Sequence, residues 1–128
     1  MWVNYNILNL LISLPYYYYC FGEVKSFFEK IENILLPNGR FEVLDFKTKH
    51  KKVIIDFAHT PEAMEKLLSQ LSKNYKEKIY LVFGCGGDRD KGKRPKMGAI
   101  AEKYAEKIFL TSDNSRSEST DRIIDMLS

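Results

Sequence analysis

The sequence predicts an α/β fold in which a mostly parallel sheet is flanked by helices. Three observations carry that expectation. From residue 40 onward, short apolar strand segments alternate with amphipathic helical ones. The helical segments are long enough to serve as the crossovers that parallel strands need. Polar and glycine-rich clusters follow the strand segments, where sheets of this kind bind their ligands. With 128 residues, 45% of them apolar, the chain can bury a core and suits one ordinary domain. That composition excludes a disordered tail, a collagen-like repeat and a disulfide-stapled mini-protein.

Residues 1–36 are aromatic and helical in pattern. The stretch Ile7 to Phe21 is apolar, yet Asn9, Ser13 and Pro15 interrupt it and the first basic residue is Lys25. Neither a membrane span nor a signal peptide reads that way, so a buried or half-buried helix is expected. Val24, Phe27, Phe28 and Ile31 fall at i, i+3, i+4 and i+7, one face of an amphipathic helix running towards Leu35. Pro37-Asn38-Gly39 then marks a turn and the expected boundary between residues 1–38 and 39–128.

Beyond it, Phe41 to Phe46 alternates as a half-exposed strand, and Lys47 to Lys52 forms a basic hairpin turn. Val53 to Phe57 reads as a buried strand. Thr60 as N-cap and Pro61 at the first helical position announce a helix whose apolar face is Met64, Leu67, Leu68 and Leu71. A second buried strand, Ile79 to Phe83, runs into Gly84-Cys85-Gly86-Gly87. Another helix is expected near Pro95, with Met97, Ile100, Ala101 and Tyr104 on one face. The strand Ile108 to Thr111 precedes Asp113-Asn114-Ser115-Arg116. Ser119 or Thr120 would cap a last helix carrying Ile123, Ile124 and Leu127. This order gives a Rossmann-like sheet with flanking helices.

Charge and cysteine usage narrow the function classes. Twenty Lys and Arg against 17 Asp and Glu leave a net charge of +3, which permits a nucleic-acid partner without arguing for one. Cys20, Cys85, His50 and His59 form no metal-ligand spacing and no disulfide framework, which points to a reducing cytoplasm.

Three polar clusters lie after strands: Asp56 with His59, Gly84 to Arg94, and Asp113 to Arg116. Gly87 to Lys93 matches the first part of a P-loop, but Arg94 stands where Ser or Thr must hold magnesium, so that motif is rejected. Arg89 and Lys93 could instead face an anionic ligand or stay solvated. Asp113, Asn114 and Arg116 supply an acceptor, an amide that both donates and accepts, and a carboxylate fork, a set suited to a zwitterionic amino acid. A plain turn with an exposed arginine accounts for the same residues. Asp56 could accept from ribose hydroxyls or serve as a helix-entry charge, and His59 could meet a nucleotide or bridge the strand–helix turn.

A longer pattern joins these clusters: Gly39-Arg40-Phe41-Glu42-Val43, Ile55 to Pro61, the run Val82 to Pro95 with Met97 to Glu102, and Thr111 to Arg116. It resembles the C-terminal ligase domain of the Mur ligases, in the branch that adds the third amino acid of the peptidoglycan precursor. Tyr5-Asn6-Ile7-Leu8 resembles, more weakly, a helix near the end of the family's central ATPase domain. The resemblance implies an ATP- and Mg2+-dependent amide ligase joining meso-diaminopimelate to UDP-MurNAc-L-Ala-D-Glu in the cytoplasm, with no nucleic-acid or membrane partner. It implies ATP contacts at Asn6, Arg40, Asp56 and His59, and amino-acid contacts at Arg89, Asp113, Asn114 and Arg116. Arg116 favours diaminopimelate over the lysine used by other members, because an arginine clamps the distal carboxylate.

Two departures stand out: Ser115 occupies a usual proline position, and Val3 an asparagine one. The family's P-loop, modified lysine, metal ligands and UDP-binding domain are expected upstream, and a glycine and a glutamate contact beyond Ser128. By that reading the chain is a piece of the ligase, inactive alone. The alternatives are a nucleotide- or amino-acid-binding module without catalysis, or a lysine-adding member.

Overall fold

The computed structural model describes residues 4–33, 37–46 and 51–128, and these form two compact units, Met1–Phe57 and Ala58–Ser128. The first unit holds helix α1 (Asn4–Phe21), the short helix α2 (Lys25–Lys30) and a 3-10 turn (Ile31–Asn33). Its two strands, β1 (Glu42–Phe46) and β2 (Lys51–Ile55), pair antiparallel with Glu42 opposite Ile55. The expected hairpin is therefore present, while its turn, residues 47–50, lies outside the described residues, as do Leu35 and Val3.

Phe27 is the buried anchor of the helical part and meets the Tyr17 ring edge-on at 5.1 Å. A hydrogen bond of 2.9 Å between the Tyr17 and Ser26 hydroxyls reinforces that contact. The half-buried helix expected over Ile7 to Phe21 is instead largely exposed, with Ile12, Tyr16, Tyr19 and Phe21 all open to solvent. Apolar residues lie all round α1, so one short neighbouring helix can cover only a narrow part of it. Among the described residues, no helix is long and apolar enough to cross a membrane.

The second unit runs α3 (Pro61–Asn74), β3 (Tyr80–Phe83), α4 (Lys93–Tyr104), β4 (Lys107–Leu110) and α5 (Thr120–Asp125). Here the expected parallel pairing appears, with Tyr80 opposite Lys107 and Phe83 opposite Leu110. Thr60 caps α3 as its spacing predicts, its hydroxyl accepting from the Ala63 amide at 3.3 Å, with Pro61 in the first turn. Met64, Leu68 and Leu71 of α3 are buried, as are Met97 and Ala101 of α4 and Ile123 and Leu127 from the last helical segment. Helix α4 begins two residues before Pro95, because Pro fits the first turn of a helix as readily as its first residue.

The strands correct one expectation. Val53, Ile55, Tyr80 and Val82 are exposed, so β2 and β3 are not buried on both faces. In β3 and β4, exposed residues alternate with half-buried Leu81, Phe83, Ile108 and Leu110. Successive side chains of a strand point to opposite faces, so a two-stranded sheet leaves alternate residues open wherever one face is uncovered, whatever their hydrophobicity.

Leu68 is 1% exposed and sits among these core residues. Leu68→Ala is expected to destabilise the chain by about 2–5 kcal/mol, measured as the shift in urea unfolding free energy.

Candidate functional site

The parallel pairing places the ends of β3 and β4 side by side, so the loops that follow them, residues 84–92 and 111–119, emerge together. Their backbones touch. Gly87 N–H donates to Asn114 O at 3.1 Å, and a Cβ on Gly87 would run into the Ser115 carbonyl. A Cβ on Gly84 would likewise collide with the Thr111 carbonyl. Only glycine permits that approach, which is the physical use of the Gly84 to Gly87 run.

Side chains complete the staple. Arg116 Nη1 donates to Gly87 O at 3.0 Å. The Asp88 carboxylate accepts from Ser117 Oγ at 2.7 Å and from Ser117 N at 3.2 Å. These bonds hold its carboxyl below the usual carboxylate range, chiefly through the Ser117 hydroxyl. Asp88, Asn114 and Arg116 have positive φ values of 51°, 40° and 52°. Such conformations cost non-glycine residues of order 1–3 kcal/mol each and cluster where a fold holds functional groups.

Beneath the loops lies Arg94, with no exposed surface. Its Nη1 and Nη2 donate to Glu118 Oε2 and Oε1, both at 2.9 Å, and Nη2 also reaches Gly86 O at 3.2 Å. Glu118 further accepts from Asp88 N–H at 2.7 Å and pairs with Lys91 at 3.2 Å. The Arg94 hydrogen bonds, followed by the Asp88 amide, pull the Glu118 carboxyl down to about 2. Cys85, buried beside Met97 with Sγ 3.7 Å from Sδ, has its thiol pushed up by burial and is not a nucleophile candidate.

The expected amino-acid residues all lie on these two loops. Arg89, Asp113, Asn114 and Arg116 are all exposed, and Gly86 lies against both the Arg89 stem and the Asp113 and Asn114 carbonyls. The Lys93 ammonium donates to His59 O at 2.8 Å, tying the start of α4 to the loop before α3. His59 itself is exposed.

In the first unit, Asp56 Oδ2 accepts from Phe41 N–H at 2.9 Å, fixing Phe41 at a φ of 52°. Its neighbour Arg40 is exposed and stacks on the exposed Phe57 ring, 4.8 Å from the centroid. Asn6 falls in the first turn of α1, and its side chain lies outside the described residues. Among the described residues, no three His, Cys, Asp or Glu side chains cluster as a metal site.

The residues that sequence reasoning missed are Arg94, Glu118, Asp88 and Ser117. One signal was available. Arg94 shares helical spacing with Met97 and Ala101, which places its charge on the buried face and requires a partner.

Residues 39–128 match the model of the Mur ligase, glutamate ligase domain. The chain belongs to the Mur ligase family. Among its relatives is the UDP-N-acetylmuramoyl-L-alanyl-D-glutamate--2,6-diaminopimelate ligase of Wigglesworthia glossinidia brevipalpis. That protein is 46% identical over 120 residues, covering 94% of this chain and 24% of the relative. The protein of the same name from Buchnera aphidicola (subsp. Acyrthosiphon pisum) is 41% identical over 121 residues, with the same coverage. A solved structure of a ligase with that name superposes with a TM-score of 0.66 at 31% identity, covering 99% of this chain and 26% of that one. The chain thus spans about a quarter of the length of the curated relatives it matches. The family's ligase domain and the mixed α/β architecture agree.

Glu118 gives this Mur ligase domain an acid sensitivity of definite sign. Its folded pKa of about 2 lies below the ordinary 4.5, so its contribution is complete above that ordinary value. It is lost as pH falls from about 4.5 towards 2. Urea midpoints measured across that window are expected to fall with pH, and to fall less steeply in Glu118→Gln.

Proposed function

We propose that this chain carries the amino-acid-binding residues, and part of the nucleotide-binding residues, of an ATP-dependent ligase that adds meso-diaminopimelate to UDP-MurNAc-L-Ala-D-Glu. The observation that supports it most is Arg116, anchored to Gly87 O and exposed beside Asp113 and Asn114 at the end of β4. This lies within a stretch shared with relatives named for diaminopimelate. In this reading residues 1–38 belong to the end of the central ATPase domain and 39–128 to the ligase domain. A cytoplasmic location goes with it.

The chemistry of each residue follows from its groups. Only one Arg116 nitrogen is committed to Gly87 O, so the guanidinium keeps donors for the distal carboxylate of diaminopimelate. Asp113 accepts from the ammonium at that end, and the Asn114 amide can donate to the carboxylate and accept from the ammonium. Arg89, exposed on the glycine-rich loop, adds a second cation. Held in this way, the far end of the substrate fixes where its reacting amine lies, which converts binding into orientation. The new C–N bond forms as the amine attacks the activated D-glutamate carboxyl, phosphate departs and the nitrogen loses a proton.

ATP, when bound, supplies the activation of that carboxyl. The residues present fit a nucleotide: Arg40 offers charge to phosphate, Phe57 an exposed aromatic face, and Asp56 a carboxylate suited to ribose hydroxyls. His59 and Asn6 complete the proposed set. The metal ligands are assigned to residues outside this chain, and the chain by itself is expected not to turn over.

Calorimetric titration of the chain with meso-diaminopimelate and with lysine tests the reading. Diaminopimelate is expected to bind roughly tenfold or more tightly than lysine, and Arg116→Ala to abolish that preference, a loss of about 1.4 kcal/mol or more. Equal binding of the two, or a preference for lysine, would count against diaminopimelate.

A further inference from the structure

Arg94 and Glu118 lie below the exposed residues of the site and face away from solvent, with side-chain exposures of 0% and 14%. One carboxylate gathers four nitrogen contacts: both Arg94 terminal nitrogens, the Asp88 amide and the Lys91 ammonium. Those contacts come from α4 and from the glycine-rich loop, while Glu118 itself closes the turn after Arg116 through its own N–H to Ser115 O at 3.0 Å. Arg94 extends the same link to Gly86 O and lies 3.2 Å from Met126 Sδ. Three segments therefore meet at a single charge pair.

The bonds that shape the exposed face hang from this pair. Glu118 is next to Ser117, which holds Asp88, and two residues from Arg116, which holds Gly87. Asp88, Asn114 and Arg116 keep positive φ only because both loops are fixed at each end. We propose that Arg94 and Glu118 are positioning residues, whose buried fork sets the Arg116 guanidinium and the Asn114 amide in register with the glycine-rich loop for binding the amino-acid carboxylate. This rests on the reading of Arg116 given above. Neither residue touches the ligand; they act through the two loops.

A solution experiment on the 128-residue chain, labelled with ¹⁵N, separates positioning from mere support. Wild type, Arg116→Ala, Glu118→Gln, Arg94→Lys and Leu68→Ala are titrated with meso-diaminopimelate, and amide hydrogen exchange is measured in each. Glu118→Gln and Arg94→Lys are expected to weaken binding roughly tenfold and to raise exchange at Gly87, Asp88 and Ser117 by at least that factor. Exchange at Met64 and Met97 should stay within about twofold. Leu68→Ala lowers global stability without touching either loop, and is expected to leave the affinity of folded molecules unchanged. Should Glu118→Gln fail to fold, Arg94→Lys decides, because it keeps the buried charge and removes only the fork. Wild-type affinity in the fork variants, with Arg116→Ala still impaired, would overturn the positioning role alone. No binding by the wild-type chain would overturn the reading of Arg116 and the positioning role with it.

Discussion

A guanidinium stripped of water is tolerable only if its charge is met, and in the second unit both terminal nitrogens of Arg94 meet Glu118, while its Nε has no partner among the described residues. Much of the loop geometry depends on that constraint. The pair joins the first turn of α4 to the loop after β4, and through the Asp88 amide it fixes the glycine-rich loop between them. Apolar burial could hold α3 against α4 without it, but burial is not directional and would not choose one conformation for two polar loops. A charge pair with defined hydrogen-bond geometry does choose.

The second requirement is close backbone approach. Gly84 and Gly87 let the two loops touch where any Cβ would collide, so the short hydrogen bonds between Gly87, Asn114 and Arg116 can form. Strain at Asp88, Asn114 and Arg116 is the consequence, and it is confined to the segments that present polar groups to solvent. The core beneath, built from α3, α4 and the last helical segment, carries the stability that offsets it.

The first unit follows different physics. Its hairpin brings Asp56 to the Phe41 amide and sets Arg40 on Phe57, a compact arrangement of carboxylate, cation and aromatic ring. Helix α1 buries little, because an all-round apolar helix needs several neighbours and α2 provides one.

Helical periodicity around Leu68 and Met97, the Thr60-Pro61 cap and the glycine run were legible in the sequence because each is a local rule obeyed by neighbours in the chain. So were Arg89, Asp113, Asn114 and Arg116 as candidates, since they follow strands that must end on one edge of a parallel pair. The burial of β2 and β3 was not legible: Val53 and Val82 are apolar enough for a core, yet exposure depends on which faces other elements cover. Nor was the anchoring of Lys93 to His59 O, or of Arg94 to Glu118 across 24 residues. By itself the sequence determined the elements, their order and the chemical types gathered at the strand ends. Only the tertiary structure decided which charge is buried with Arg94 and which stay exposed, because helical spacing marks Arg94 as buried but a long-range ion pair is set by the packing of whole elements, and no period in the chain points to Glu118.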